Sequence, residues 1–192
     1  MKTFLRILLA VSALAVAGCV SPRTVNLPKL PKWEAPNVAR AEFSAAEVQL
    51  HASLLLPGVP VDLTDANFTI VHHETALAIL AWTDVVYRTT GHGYTPESWD
   101  CDKFAKAYSL AVEWAASAAG VKAQPLVARV FAVQANSFAN VPGNPNSAHA
   151  LAGLRTDQGY FILEPQGGGS TAFRLIQLEA YPNRIYRVRI GG

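Results

Sequence analysis

Apolar residues recur every three to four positions across the first part of the chain, which is the spacing of amphipathic helices. The pattern predicts helices over residues 41–53, 74–88 and 98–119. The third is the clearest, because its apolar stripe starts at Cys101 and Gly120 follows the last periodic residue as a stop signal. The first half of the chain is therefore expected to be helical.

The pattern changes to short apolar and alternating runs in the second half. These runs predict strands over residues 126–133, 149–156, 160–164, 174–178 and 185–190. A run of helices followed by a run of strands favours an α+β fold over a doubly wound sheet. We expect a helical first half packed on an antiparallel sheet of about five strands.

The hairpin after residue 149 allows two registers. If Thr156 pairs with Gly159, Glu164 falls opposite Leu151 and shares a face of the sheet with His149. A loop of residues 157–159 moves Glu164 to the other face, because one residue of slip inverts every side chain. The sequence leaves both registers open.

The first residues indicate export. Lys2 and Arg6 precede an apolar run over residues 4–16, which is shorter than a membrane-spanning helix and typical of a secretory signal. Residues 16–19, VAGC, resemble the lipobox of bacterial lipoproteins. The resemblance implies cleavage before Cys19, acylation of its sulfur and a membrane anchor in the cell envelope. Val20 in place of an aspartate favours the outer membrane, facing the periplasm.

These segments predict three parts: a signal peptide over residues 1–18, a lipidated, proline-rich tether over 19–40 and one domain over 41–192. Without Lys2 and Arg6, fourteen basic residues face fourteen acidic ones. The equal numbers of basic and acidic residues, together with the absence of a Lys/Arg cluster in the sequence, exclude nucleic acid as the expected partner.

Cys101 has no partner for a disulfide if Cys19 is lipidated, and unpaired thiols are unusual in an oxidising envelope. It is either a small buried hydrophobe or a nucleophile. With Asp100 as the N-cap, Cys101 begins a helix, where the dipole favours a thiolate. Asp100 and Asp102 oppose ionisation, so a reactive Cys101 needs a nearby cation such as an imidazolium.

His149 is the candidate base, because it begins a strand after a turn-rich loop and lies far from Cys101 in the sequence. His51, His72, His73 and His92 compete for the role of the base. His72 and His73 are adjacent, but without a spacing such as HExxH or other nearby ligands they do not indicate a zinc site. Glu164 is the candidate that holds the imidazole, since it ends an apolar strand and precedes Pro165.

The segments WDCDKFA (99–105), HA (149–150) and FILEPQ (161–166) resemble a papain-like cysteine-peptidase domain. That domain lies behind the lectin domain of a mushroom agglutinin and occurs in related bacterial and phage proteins. The resemblance implies Cys101 as nucleophile, His149 as general base and Glu164 as orienting acid. It also implies calcium, for which the sequence offers no ligand set, whereas the lectin domain has no counterpart. Transglutaminase-like and NlpC-type peptidases share the order of cysteine and histidine.

The predicted function is thiol acyl transfer on a peptide or amide, with peptidoglycan-type peptides as the substrate that an envelope location favours. Gln166 is a candidate oxyanion donor, and Trp99 is a candidate substrate contact. No cofactor is required by the sequence. Two alternatives stay open: an inactive binding or structural module, and transglutaminase or amidase activity at the same residues.

Overall fold

The computed structural model describes residues 26–90, 101–133, 148–165, 176–181 and 184–191. Its helices are α1 (Ala45–Leu55), α2 (His73–Thr90) and α3 (Cys101–Ala118), with a short 3₁₀ helix at Leu178–Ala180. Its strands, in chain order, are β1 (Glu42–Ser44), β2 (Val61–Leu63), β3 (Asn67–Thr69), β4 (Gln124–Pro125), β5 (Val127–Val133), β6 (Ala148–Thr156), β7 (Gly159–Leu163), β8 (Ile176–Gln177) and β9 (Arg184–Ile190).

The main sheet has six described strands in the order β2-β9-β5-β6-β7-β8. All of its neighbours are antiparallel except β2 and β9, which run parallel at one edge. A second, three-stranded sheet has the order β1-β3-β4. The predicted α+β class is confirmed. The sixth strand, β2, escaped prediction because three residues are too few to show an alternating pattern.

The first helix starts later than predicted. The side chain of Ser44 accepts a hydrogen bond from the backbone of Glu47, and the Glu47 carboxylate accepts one from the Ser44 N–H. This capping box fixes the helix start at Ala45. The residues before it form β1, which pairs with β3.

The main sheet is covered on both faces, and alternate residues of its strands point to opposite sides. Val127, Ala152 and Leu163 pack against α2 and α3, around the fully buried Tyr108. On the other face, a second cluster includes Val130 and Val48 of α1. The helix α3 thereby lies across β5 and β6, and its first residue reaches the region where β6 begins.

The segment before the first strand packs on α2. The Trp82 indole N–H donates to the carbonyl oxygen of Pro28 at 2.9 Å, and the Glu34 N–H donates to Thr75 Oγ1 at 3.2 Å. Leu30 and Trp33 pack against the same apolar cluster as α2 and α3. Part of the predicted tether therefore lies against the domain. None of the described helices combines the length and apolar character of a membrane span.

Candidate active site

Cys101 is the first residue of α3 and is half-buried. The helix forms because Phe104, Tyr108 and Val112 repeat on one side and bury against the sheet. This packing fixes the rotation of the helix about its axis. The sulfur consequently lies beside β6.

His149 and Glu164 are brought together by the hairpin register. Thr156 pairs with Gly159 and Ala152 with Leu163, which selects the first of the two registers that the sequence allows. Continuing that pairing by one residue places Glu164 opposite Leu151, on the same face as His149. His149 Nε2 and Glu164 Oε2 form a hydrogen-bonded ion pair.

Both members of this pair are removed from water. The Glu164 side chain has no exposed surface, and the His149 residue is 8% exposed. A buried carboxylate is costly unless a cation or several donors compensate it. Glu164 thus orients the imidazole and favours its charged form.

Cys101 contacts β6 through two neighbouring groups. The Ala150 N–H donates to Cys101 Sγ at 3.4 Å, and the thiol also forms a hydrogen bond with the His149 side chain. The strand β7 ends at Leu163, which pairs with Ala152 of β6. The residues of β6 before Ala152 therefore extend beyond β7, and α3 contacts the strand there. The structure therefore brings Cys101, His149 and Glu164 into one chain of contacts.

The charges favour a protonated imidazole. Burial of His149 lowers its pKa, but the hydrogen bonds with Cys101 and Glu164 and their charges outweigh this effect and raise the pKa from 6.5 to about 9. The imidazole accordingly keeps its proton at neutral pH. An imidazolium in contact with a sulfur is the arrangement that stabilises a thiolate.

The other described histidines have different surroundings. His51 Nδ1 lies 3.2 Å from the Tyr160 hydroxyl, and His73 packs edge-on against Phe161. His72 lies between Glu34 and Asp157, with nitrogen–oxygen distances of 3.4 and 3.7 Å. Among the histidines that the structure describes, the contact with Cys101 is assigned to His149.

Several predicted residues lie outside the described ranges. Trp99, Gln166, Cys19 and His92 belong to this group, and so does the proposed N-cap Asp100. Their roles stay predictions. Within the described residues, no three His, Cys, Asp or Glu side chains converge to hold a metal ion, so calcium remains an implication of the resemblance alone.

Two features of the site were missed by the sequence analysis. One is the Ala150 N–H on the sulfur; its only sequence signal is the position of Ala150 next to His149. The other is Arg129 of β5, whose Nη1 lies 3.3 Å from Asp102 Oδ1, one residue after Cys101. Arg129 could have been found only from the packing of α3 on β5.

Comparison with solved structures gives two neighbours with the same fold. The PSL1a-E64 complex has a TM-score of 0.53 and 20% sequence identity, over 79% of this chain and 50% of that chain. The Polyporus squamosus lectin, bound to the human-type influenza-binding epitope Neu5Aca2-6Galb1-4GlcNAc, has a TM-score of 0.54 and 19% identity over the same shares. The chain thus spans half the length of these neighbours. At such identities the likeness shows the fold alone, which this chain shares with half of each neighbour.

No protein-family profile matches the sequence, and no curated protein sequence matches it.

Proposed function

We propose that this protein is a thiol acyl-transfer enzyme of the cysteine-peptidase type, with Cys101 as nucleophile, His149 as general base and Glu164 as orienting acid. One observation carries the proposal: a fully buried glutamate is paired with an imidazole that also hydrogen-bonds the sulfur. A structural cysteine needs no such pair, since a small buried hydrophobe requires only apolar neighbours.

The reaction starts from the thiolate and the imidazolium. The sulfur attacks a peptide or amide carbonyl, and His149 gives its proton to the departing amine, which leaves a thioester on Cys101. Water then attacks the thioester as His149 accepts its proton, and the carboxylic acid is released with regeneration of the thiolate. Glu164 holds Nε2 throughout, so that Nδ1 is the nitrogen available for these transfers.

Two local features support a stable thiolate. The Ala150 N–H donates to the sulfur, and Cys101 lies at the N-terminus of an eighteen-residue helix. Backbone N–H groups and the helix dipole both favour negative charge at that end. The Cys101 N–H is the natural first donor to the oxyanion, and Gln166 is proposed as the second.

The direct test is covalent labelling with E64, an epoxide electrophile and the ligand of the PSL1a-E64 complex. We expect a single adduct, located at Cys101 by peptide mapping, and no adduct with Cys101→Ala. In His149→Ala, labelling at neutral pH should slow by at least about tenfold, because the thiol loses its counter-ion. His51→Ala serves as the matched histidine control and should label like the parent protein. A Cys101 that labels equally fast without His149 would disprove activation.

Peptide or peptidoglycan-type substrates are proposed from the expected envelope location, together with a lipid anchor on Cys19. If the anchor forms, the protein partitions into the detergent phase of a Triton X-114 extract, and Cys19→Ser moves it to the aqueous phase. Equal partitioning of the two proteins would remove the anchor from the proposal and leave the active site untouched.

Glycan binding is a second candidate, favoured by the likeness to the Polyporus squamosus lectin with its bound epitope. Because the chain spans half of that protein, the region that binds the epitope there has no assigned counterpart here. The probe is the same trisaccharide, Neu5Aca2-6Galb1-4GlcNAc. Binding that Cys101→Ala leaves unchanged would identify a lectin function separate from the thiol site.

A further inference from the structure

Asp102 poses an electrostatic problem for the proposed nucleophile. It follows Cys101 directly in the first turn of α3, and its side chain is 43% exposed. A carboxylate this close disfavours the thiolate by like-charge repulsion. The helix dipole and the His149 imidazolium favour the thiolate, so an uncompensated Asp102 would cancel part of their effect.

Arg129 compensates this carboxylate from the sheet. It lies in the middle of β5, on the face that α3 covers, and its side chain is only 14% exposed. Its Nη1 donates to Asp102 Oδ1 at 3.3 Å. A guanidinium so deeply placed keeps its charge and is screened by water far less than a surface arginine.

Other charged groups surround Arg129. Lys106 and Glu113 follow on the same side of α3, and Arg129 helps to lower the pKa of Glu113 against the larger raising effect of burial. Arg189 of β9 pairs across the sheet with Arg129, but its Nε donates to Asp62 at 3.3 Å. On β6, the charged group that contacts Cys101 is His149, which is itself paired with Glu164 after β7.

We propose that Arg129 is a positioning residue, which neutralises Asp102 and thereby sets the pH range over which Cys101 reacts. This inference rests on the proposed function. In this proposal Arg129 acts through its contact with Asp102, so its role is separable from those of His149 and Glu164. The ion pair also ties the first turn of α3 to β5, which fixes the sulfur relative to β6.

The expected effect is moderate. A neighbouring unit charge that is partly exposed to water, as Asp102 is, displaces an ionisation by about half a pH unit to one unit. Removing Arg129, which leaves the Asp102 charge uncompensated, should therefore slow alkylation of Cys101 about three- to tenfold at pH values below the midpoint of the pH–rate profile.

The experiment is iodoacetamide alkylation of Cys101 across pH, followed by intact mass. Arg129→Gln should raise the midpoint, and the double variant with Asp102→Asn should restore it. Arg129→Lys should stay near the parent midpoint because it keeps the charge. Asp102→Asn alone should lower the midpoint, and this half-exposed position tolerates the change even if Arg129→Gln fails to fold. Arg187→Gln, which removes an exposed partner of Asp62, is the control and should change nothing.

The outcomes separate the two claims. If the parent thiol is activated but neither Arg129→Gln nor Asp102→Asn changes the midpoint of its pH–rate profile, this inference is overturned. The proposed function is then unaffected. A raised midpoint that Asp102→Asn fails to restore also overturns it, since Arg129 would then act by packing alone. A parent protein that alkylates like an ordinary thiol removes the proposed function, and this inference with it.

Discussion

Replacing Glu164 with glutamine is the sharpest test of the electrostatics at the site. The amide keeps the shape of the side chain and can still accept a hydrogen bond from His149 Nε2, but it removes the buried negative charge. The imidazolium then loses its counter-ion in a place where water cannot replace it. We expect the protonated imidazole, and with it the thiolate of Cys101, to become less stable.

The size of the effect follows from the pKa of His149. This pKa is about 9, against an ordinary value of 6.5, and a difference of that size corresponds to about 3 kcal/mol in favour of the charged imidazole. Burial opposes the charge, whereas Cys101 and Glu164 support it. If Glu164 supplies even half of the net difference, Glu164→Gln raises the alkylation midpoint of Cys101 by about one pH unit, which slows alkylation about tenfold below the midpoint.

The assay is the rate of iodoacetamide alkylation from about pH 5 to 9, the range in which thiolates of this kind titrate. Circular dichroism and thermal unfolding establish that the variant is folded. Glu179→Gln makes the same chemical change at an exposed position and should reproduce the parent profile. The reasoning fails if a folded Glu164→Gln protein has the parent profile, because the buried carboxylate would then contribute nothing to the state of the sulfur.

Three further predictions concern stability. Because the pKa of His149 is raised in the folded protein, its charged form stabilises the fold fully below pH 6.5. The free energy of unfolding, measured by urea titration, should therefore fall as pH rises through about 9. His149→Gln should make this fall smaller. Trp33→Ala should lower the unfolding temperature because Trp33 packs on the core, whereas Leu27→Ala at an exposed position should not; equal temperatures would mean that the docked segment is loose. Gly153→Ala should cost about 1–3 kcal/mol, since a Cβ there lies 2.6 Å from Val130 Cγ2, and Val130→Ala should relieve part of the added strain in a double-mutant cycle.

The sequence pattern predicted α3 well because the buried side and the end of this helix are both determined by residues within or next to it. An apolar stripe fixed its buried side, and Gly120 fixed its end by adopting a φ of 79°. The N–H groups of Gly120 and Val121 then donate to the carbonyls of Ser117 and Ala116. The first helix was predicted too early because its apolar pattern continues into β1, and the capping box at Ser44 outweighs that pattern.

The hairpin register could not be chosen from the sequence, because Gly159 suits either the first position of β7 after a two-residue loop or the last position of a three-residue loop. In the structure, Thr156 Oγ1 accepts a hydrogen bond from the Gln158 N–H at 3.0 Å, and Gly159 adopts a φ of 138°. These features select a two-residue turn. The face of Glu164, and hence its pairing with His149, depends on this small piece of turn chemistry.

Contacts between distant elements account for the rest of what was missed. Neither the Arg129–Asp102 pair nor the docking of residues 28–34 on α2 has a local signal, since each joins segments that are far apart in the chain. Both depend on which strand lies beside which helix. The same is true of the parallel pair β2 and β9, whose partners are separated by most of the domain.

The meeting of Cys101 with His149 depends on how closely α3 approaches the sheet. The facing positions are small: Ala105 and Ala115 on the helix, and Ala150 and Ala152 on β6, are all buried. Small side chains let a helix lie near a strand, and only at short separation can a thiol at the helix start contact a side chain and an N–H of that strand. The alanines therefore determine the distance between α3 and β6, and the hairpin register determines the direction of the Glu164 side chain. The buried charges determine the protonation of His149. Chemical reactivity at Cys101 should consequently respond to larger side chains at these alanines, because they would push the helix away from the strand.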